Sequence, residues 1–291
     1  QHPALYILLL AILRLLGSAS FVYTPQDVLP NSLRPYHIRA FRFLYARMRH
    51  VFLNAKQNEP LVIEHFAVPR DRITVLPIAD LTAFVREHVA GEPPDIPAAS
   101  RVVLCFGLIE PRKGIHTLLS AAPEVLRQVP DALLLIVGKP LMDIAPLQRQ
   151  LTDLGLQERV RLVPQYVSFA QMAGYFTAAR LLVLPYENGW NSGVLASAFG
   201  FGKPVIATRV GGFDEVVSDE STGLLVPPKD PAVLAQAIVR LLRDDVLYAR
   251  MVGNVRQAAA EISWEAIARI TAARYADVVG IGADCAVSQA R

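Results

Sequence analysis

From residue 101 onward the chain alternates short, almost wholly apolar runs rich in Val, Leu and Ile with longer amphipathic stretches. Runs of that kind suit strands buried on both faces, and the amphipathic segments between them suit crossover helices, which together mark a parallel sheet covered on both sides. The pattern predicts strands over 102–106, 133–137, 160–163, 181–184, 205–208 and 224–226. Helices are predicted over 115–129, 144–154, 169–178, 193–199 and 232–242, with a short turn near 214–217 and Pro231 at a helix-start position. Six such steps make one complete doubly wound domain.

The first hundred residues carry the same alternation less fully. They predict a helix over 5–16, a strand over 20–23, a basic helix over 35–49, a strand over 51–54, a helix around 59–65 and a strand over 73–76, about half of a second α/β domain. Between residues 90 and 100, Gly91, Pro93, Pro94 and Pro97 give linker composition, because proline resists both helix and central strand. The expected organisation is a partial Rossmann-like domain over 1–92, a linker over 93–100, a complete Rossmann-like domain over 101–260, and a closing helix and tail over 261–291.

Composition narrows the picture. A chain of 291 residues with 53% apolar and 19% charged positions is globular and long enough for about two domains. A net charge of +3 argues against nucleic acid as the partner. Cys105 and Cys285 stand 180 positions apart, so neither a disulfide framework nor a thiolate zinc site is expected, and a reducing, cytoplasmic setting fits. The apolar run over 3–13 ends at Arg14, short of the ~20 residues of a bilayer span. Lacking both an initiator Met and a positively charged signal-peptide start, the chain is expected to begin inside a longer protein.

No G-x-G-x-x-G joins a strand to a helix, so a nicotinamide-dependent dehydrogenase loses its main support. The histidines show no metal-ligand spacing, and no metal site is expected. Gly200 to Pro204 superficially suggests a phosphate loop, but Pro204 replaces the magnesium-binding hydroxyl and a strand follows. What is present is a set of glycine-containing turns at the carboxyl ends of predicted strands, where open α/β sheets hold ligands. Gly107 opens one turn, which ends Arg112-Lys113-Gly114 before a helix; there a cation and free N–H groups favour phosphate, although the pair also suits a solvated turn. Gly138 and Lys139 add a charge at the same edge. The loop 185–193 carries Glu187 and ends Asn191-Ser192-Gly193, with Asn191 or Ser192 as helix cap and the Gly193 and Val194 amides facing an anion. A lone loop carboxylate is also compatible with plain exposure. Gly211 and Gly212 precede Glu215, a carboxylate able to accept hydroxyl hydrogen bonds; a turn with positive φ would explain the glycines equally well. Phosphate loops and carboxylates on one rim suggest a nucleotide bearing a polyhydroxylated group.

Residues 101–279 resemble the carboxyl-terminal domain of the group 1, or family 4, retaining glycosyltransferases of the GT-B fold. The matching segments are Phe106-Gly107 through Arg112-Lys113-Gly114, Ile136-Val137-Gly138, Val183 to Tyr186, Ser192-Gly193-Val194, Gly202 to Thr208, Val210-Gly211-Gly212 with Glu215, and Thr222 to Pro228. Residues 20–84 are similar to the latter part of the family's acceptor domain, which implies that its opening strands lie upstream of Gln1. Within residues 101–279 two positions depart from the family pattern. Leu108 replaces an arginine, and Ser197 stands where the second glutamate of Glu-x7-Glu, the ribose ligand, would be, as in a subset with Ser-Gly-Val.

The resemblance implies an NDP-sugar substrate with no cofactor, and a sugar, lipid or small-molecule acceptor. Lys113 would neutralise the diphosphate and, with Glu187, form the catalytic pair; Gly193 and Val194 would hold phosphate oxygens. Gly107, Arg112, Gly138, Lys139, Asn191, Ser192 and Ser197 would complete the donor site, with Gly211, Gly212 and Glu215 at the sugar and Tyr166 and Val167 at the base. A nucleotide-sugar epimerase and a non-catalytic sugar-nucleotide-binding domain are the alternatives. Residues 34–72 hold eight Lys or Arg against three acids, and the aromatic-rich segment 34–50 is expected either to touch the anionic inner face of a membrane or to pack its aromatics on the sheet.

Overall fold

Residues 20–25, 28, 35–80, 82, 95–97, 99–189 and 192–280 are described by this computed structural model. The helix expected over 5–16 and residues 93, 94 and 98 of the expected linker lie outside them. The chain divides into two units, Gln1–Pro77 with Glu265–Arg291, and Ile78–Trp264.

In the first unit, β1 (Val22–Tyr23), β2 (His50–Leu53) and β3 (Ile73–Val75) form a parallel sheet in that order. α1 (Pro35–Tyr45) and α2 (Asn58–Phe66) cover one face, where Phe41, Leu44 and Tyr45 meet Val51, Leu53, Val62 and Phe66 in a common core. Tyr45 stacks on Phe66 with ring centroids 4.7 Å apart. The basic helix expected over 35–49 stops at Tyr45, because Met48 N–H turns back to the Tyr45 carbonyl (3.1 Å) and Arg49 N–H already bonds Phe21 O (2.7 Å). Sheet pairing thus ends the helix where amphipathic periodicity alone would continue it.

The second unit holds six parallel strands, all formed from the predicted apolar runs: β4 (Arg101–Phe106), β5 (Ala132–Val137), β6 (Val160–Val163), β7 (Leu181–Leu184), β8 (Val205–Thr208) and β9 (Gly223–Val226). Their order is β6-β5-β4-β7-β8-β9. Side-chain alternation splits the core in two. Val103, Cys105, Leu134, Ile136, Val183 and Ile206 face α3 (Ile115–Gln128) and α8 (Pro231–Arg243). Val102, Leu104, Leu135, Leu182 and Ala207 face α5 (Phe169–Ala178) and α6 (Gly193–Gly200). α4 (Ala145–Asp153) and the single turn α7 (Phe213–Val216) complete the crossovers. The strand order reverses between β4 and β7, whose outgoing loops diverge there, and such a switch point is where doubly wound sheets form a crevice.

One helix had no counterpart in the pattern reading. α9 (Asp245–Glu261) starts one residue after α8, capped by Asp244, whose carboxylate accepts from Leu247 N–H (2.8 Å). It buries only Leu247, Met251 and Val255, a stripe one residue wide, too thin for the amphipathic template. α10 (Trp264–Val279) follows, and its Tyr275 meets Phe52 of β2 edge to face (5.9 Å) within the first unit.

Candidate functional site

The loops that leave β4, β5 and β7 converge at the carboxyl edge of the second sheet, and glycines permit it. Gly114 adopts φ +62°, and a methyl on its Cα would stand 1.9 Å from Pro185 O. A methyl on Gly138 would stand 1.7 Å from Gly107 O, so the β4 and β5 exits touch backbone to backbone. Glu187 N–H donates to Arg112 O (2.8 Å), tying the β7 loop to the turn that carries Lys113.

Lys113 is the centre of this arrangement. It closes a 3-10 turn, Pro111–Lys113, and is only 8% exposed. Its ammonium donates to the Tyr186 hydroxyl and lies 3.8 Å from the centre of the Tyr186 ring. Tyr186 is itself buried, its hydroxyl 3.2 Å from Ser192 Oγ, its carbonyl accepting from Thr208 Oγ1 (2.6 Å) and its ring 5.1 Å from Phe213. Among the described residues no carboxylate pairs with Lys113. Burial, and then the neighbouring Arg112 guanidinium, lower its pKa to about 8, with Cys105 and Glu110 opposing. Burial likewise pushes the Cys105 thiol up to about 12, which keeps it uncharged beside the lysine. A buried cation without an anion is costly, and such groups gather at ligand sites.

α6 faces the same corner. Ser192 caps it, its hydroxyl accepting from Leu195 N–H (3.4 Å), while the Gly193 and Val194 amides precede the first intrahelical bonds. A methyl on Gly107 would lie 3.3 Å from Val194 Cγ2 and 4.0 Å from Lys113 Nζ, so the β4 exit, the ammonium and the first turn of α6 share one small space. Positive charge, unpaired amides and the helix dipole there suit an anion.

Glu187 is not a lone loop carboxylate. His116 Nε2 lies 3.0 Å from Oε1 and Lys229 Nζ 3.1 Å from Oε2. Pattern reading missed both partners. His116 sits two residues past Gly114 in the first turn of α3, a position that could have drawn notice; Lys229 is remote in sequence and gives no local signal. Lys229 holds φ +60°, a conformation that disfavours residues with a Cβ.

The other expected donor residues divide. Gly107, Arg112, Lys113, Gly138, Glu187, Ser192, Gly193 and Val194 are gathered as described. Lys139 is exposed at the β5 exit. Tyr166 is 72% exposed and Val167 half-buried in the loop before α5. Gly211, at φ +55°, and Gly212 lead into α7, where Glu215 is exposed while Phe213 anchors the turn on Tyr186. Asn191 lies outside the described residues. Ser197 must be corrected: it is fully buried, and its hydroxyl donates to Gly193 O one turn back (2.7 Å), so it presents no surface to a ribose. Among the described residues no three His, Cys, Asp or Glu side chains group as metal ligands, and no helix is long and apolar enough to cross a membrane.

Comparison with known proteins bears on the family and the fold. The family model for glycosyl transferases group 1 matches residues 100–244. A phosphatidyl-myo-inositol mannosyltransferase of Mycobacterium leprae is 38% identical over 174 residues, 59% of this chain and 45% of the relative. A D-inositol 3-phosphate glycosyltransferase of Corynebacterium efficiens is 29% identical over 236 residues, 77% of this chain and 55% of the relative. The chain thus spans about half the length of the curated relatives it matches. Among solved structures, sucrose-phosphate synthase from Thermosynechococcus elongatus superposes with a TM-score of 0.72 at 26% identity, over 93% of this chain and 70% of that one. Anabaena HepE in complex with UDP gives 0.78 at 22% identity, over 92% and 75%. The fold is the α/β, Rossmann-like GT-B type expected from the sequence. On the match over residues 100–244 and these neighbours, the chain belongs to the group 1 glycosyltransferases.

Proposed function

We propose that this chain is the donor-binding part of an enzyme that moves a glycosyl group from an NDP-sugar to a hydroxyl of a sugar, lipid or small-molecule acceptor, with retention. The observation that carries the reading is the buried ammonium of Lys113, unpaired by any carboxylate among the described residues and set against the first turn of α6. A diphosphate there would supply the missing anion. As the bond from C1 to the diphosphate oxygen breaks, charge grows on the leaving group, and Lys113 with the Gly193 and Val194 amides would stabilise it without a metal. The acceptor oxygen takes C1, and its proton passes to a phosphate oxygen of the departing diphosphate. Glu187, held by His116 and Lys229, would accept hydrogen bonds from donor-sugar hydroxyls.

The test is a calorimetric titration of UDP, GDP and ADP and their sugar conjugates, with transfer to an added acceptor followed by product analysis. Saturable binding of one nucleotide series with transfer is expected; an epimerised donor, or no binding of any series, would overturn the reading. Glu187→Gln is expected to leave the affinity for the bare nucleotide unchanged and to weaken the sugar conjugate by about tenfold, the worth of one charged hydrogen bond. Equal loss for both ligands would remove Glu187 from the sugar.

A contact of residues 34–50 with the anionic inner face of a membrane belongs to the same proposal, but as electrostatics rather than insertion. Phe41, Leu44, Tyr45 and Met48 are buried in the protein's own core, leaving Phe43 exposed with Arg47 laid on its ring. Binding to phosphatidylglycerol vesicles should therefore survive Phe43→Ala and vanish near 1 M salt, where the screening length is about 3 Å. Binding that persists in salt would mean insertion.

A further inference from the structure

The parallel register of the first sheet brings two charged turns to its amino edge, the end opposite the one where doubly wound sheets bind their ligands. Val51 pairs with Ile73, so Arg49 and His50 at the start of β2 stand beside Asp71 and Arg72 at the start of β3. α10 reaches the same end. Its Tyr275 packs on Phe52, and Phe52 in turn lies 5.0 Å from the His50 ring, which sets Arg274 and Asp277 over the strand starts. These six side chains line a pocket of about 450 Å³, large enough for a phosphorylated small molecule or a lipid headgroup.

Its charge is unbalanced. With Arg47 on the rim, four arginines face two aspartates. Asp277 is already taken by Arg274 (3.1 Å), and Arg47 lies flat on Phe43, 3.1 Å from the ring centre. Arg49 and Arg72 have no ion-pair partner among the described residues, and both side chains are exposed at the pocket. His50 is buried, with Nε2 2.8 Å from Thr74 Oγ1, and burial followed by the Arg274 charge lowers its pKa, so it adds no charge at neutral pH. Two unpaired guanidiniums from adjacent strand starts, backed by a third on a helix, can grip a tetrahedral oxyanion from two sides.

We propose that this pocket binds a phosphate monoester, with Arg49 and Arg72 as the gripping pair and Arg274 as the third contact. The site lies in a different unit from the Lys113 corner and does not depend on the donor reading. Two sources share the chemistry, a free phosphate and the headgroup of phosphatidic acid.

The experiment titrates the full chain with inorganic phosphate by 31P NMR and with vesicles of phosphatidic acid in phosphatidylcholine, against phosphatidylglycerol vesicles of equal charge as blank. The variants are R49Q/R72Q, R274Q and K113M. Saturable phosphate binding that K113M keeps and R49Q/R72Q weakens at least about tenfold is the expected result and points to a soluble ligand. Binding of phosphatidic acid vesicles alone, lost in the same double variant, supports the site with a headgroup as its source. No saturable binding to either probe, binding that R49Q/R72Q retains, or binding that K113M abolishes would overturn the proposal. If the double variant does not fold, R274Q decides: unchanged phosphate and vesicle binding there counts against the site.

Discussion

Lys113→Met should bind donor diphosphates at least about thirtyfold more weakly than the wild type, yet resist heat better when no ligand is present. Both effects have one cause. In the free protein the ammonium is buried beside Arg112 with no carboxylate partner, so replacing it with an apolar side chain of similar length removes a desolvation cost. In the complex the same ammonium would face the diphosphate, and removing one partner of a desolvated charge pair costs about 2–5 kcal/mol. The pH dependence follows from the same group. An unfolded lysine titrates near 10.4, whereas Lys113 in the fold titrates at about 8. Between those values the unfolded chain keeps a proton that the folded chain has shed, so the Lys113 contribution makes stability rise with pH across that window and stay flat below it. Anion binding works in the opposite sense, because it favours the ammonium. Nucleotide affinity should be level below pH 8 and fall above it, with proton uptake on binding near pH 8 to 9. Calorimetry in buffers of different ionisation enthalpy reads that uptake, and K113M should abolish it. A variant that keeps its nucleotide affinity would strip Lys113 of its assigned role.

Gly138→Ala carries the second large effect, on folding. The added methyl would fall 1.7 Å from a backbone oxygen, Gly107 O, at a residue whose φ is +156°. Neither neighbour can yield cheaply, since Gly107 N–H bonds Val137 O (3.0 Å) and Gly138 N–H bonds Val163 O (3.1 Å), so moving either one breaks strand-end pairing. A loss of about 3 kcal/mol or more is expected, in the range of severe backbone and overpacking changes. Gly155→Ala is the matched control. Gly155 also has positive φ, +64°, but nothing lies within 4 Å of its added methyl, so it should cost only about 1 kcal/mol of backbone strain. Urea unfolding curves for the two variants should separate clearly. Equal midpoints would mean that the β4 and β5 exits are looser than their contact implies. Because those exits shape the corner that holds Lys113, folded Gly138→Ala protein should also bind nucleotide poorly.

Much of the second unit was legible in its residues. Strands buried on both faces must be nearly all apolar, and a parallel sheet must be crossed by helices, so β4 to β9 and their crossovers emerged from hydrophobicity alone, to within a residue or so. Glycines at strand ends and the Arg112-Lys113-Gly114 turn pointed to a phosphate site for the same local reason. α9 escaped because a helix that buries three side chains barely modulates the pattern.

What needed tertiary structure was every property that depends on distant neighbours. Ser197 and Glu187 both read as polar residues near a glycine loop. Only packing decided that the first is sealed on the buried face of α6 and that the second is bracketed by His116 and Lys229. Lys113 could have been a solvated turn residue, and its burial against Tyr186 is the work of the β7 loop. Phe41 and Tyr45 of α1 could have faced a membrane, and the core of the first sheet took them. Hydrophobic periodicity is a local property carried by each segment, whereas desolvation and charge pairing arise from groups that only the folded chain brings within a few ångströms.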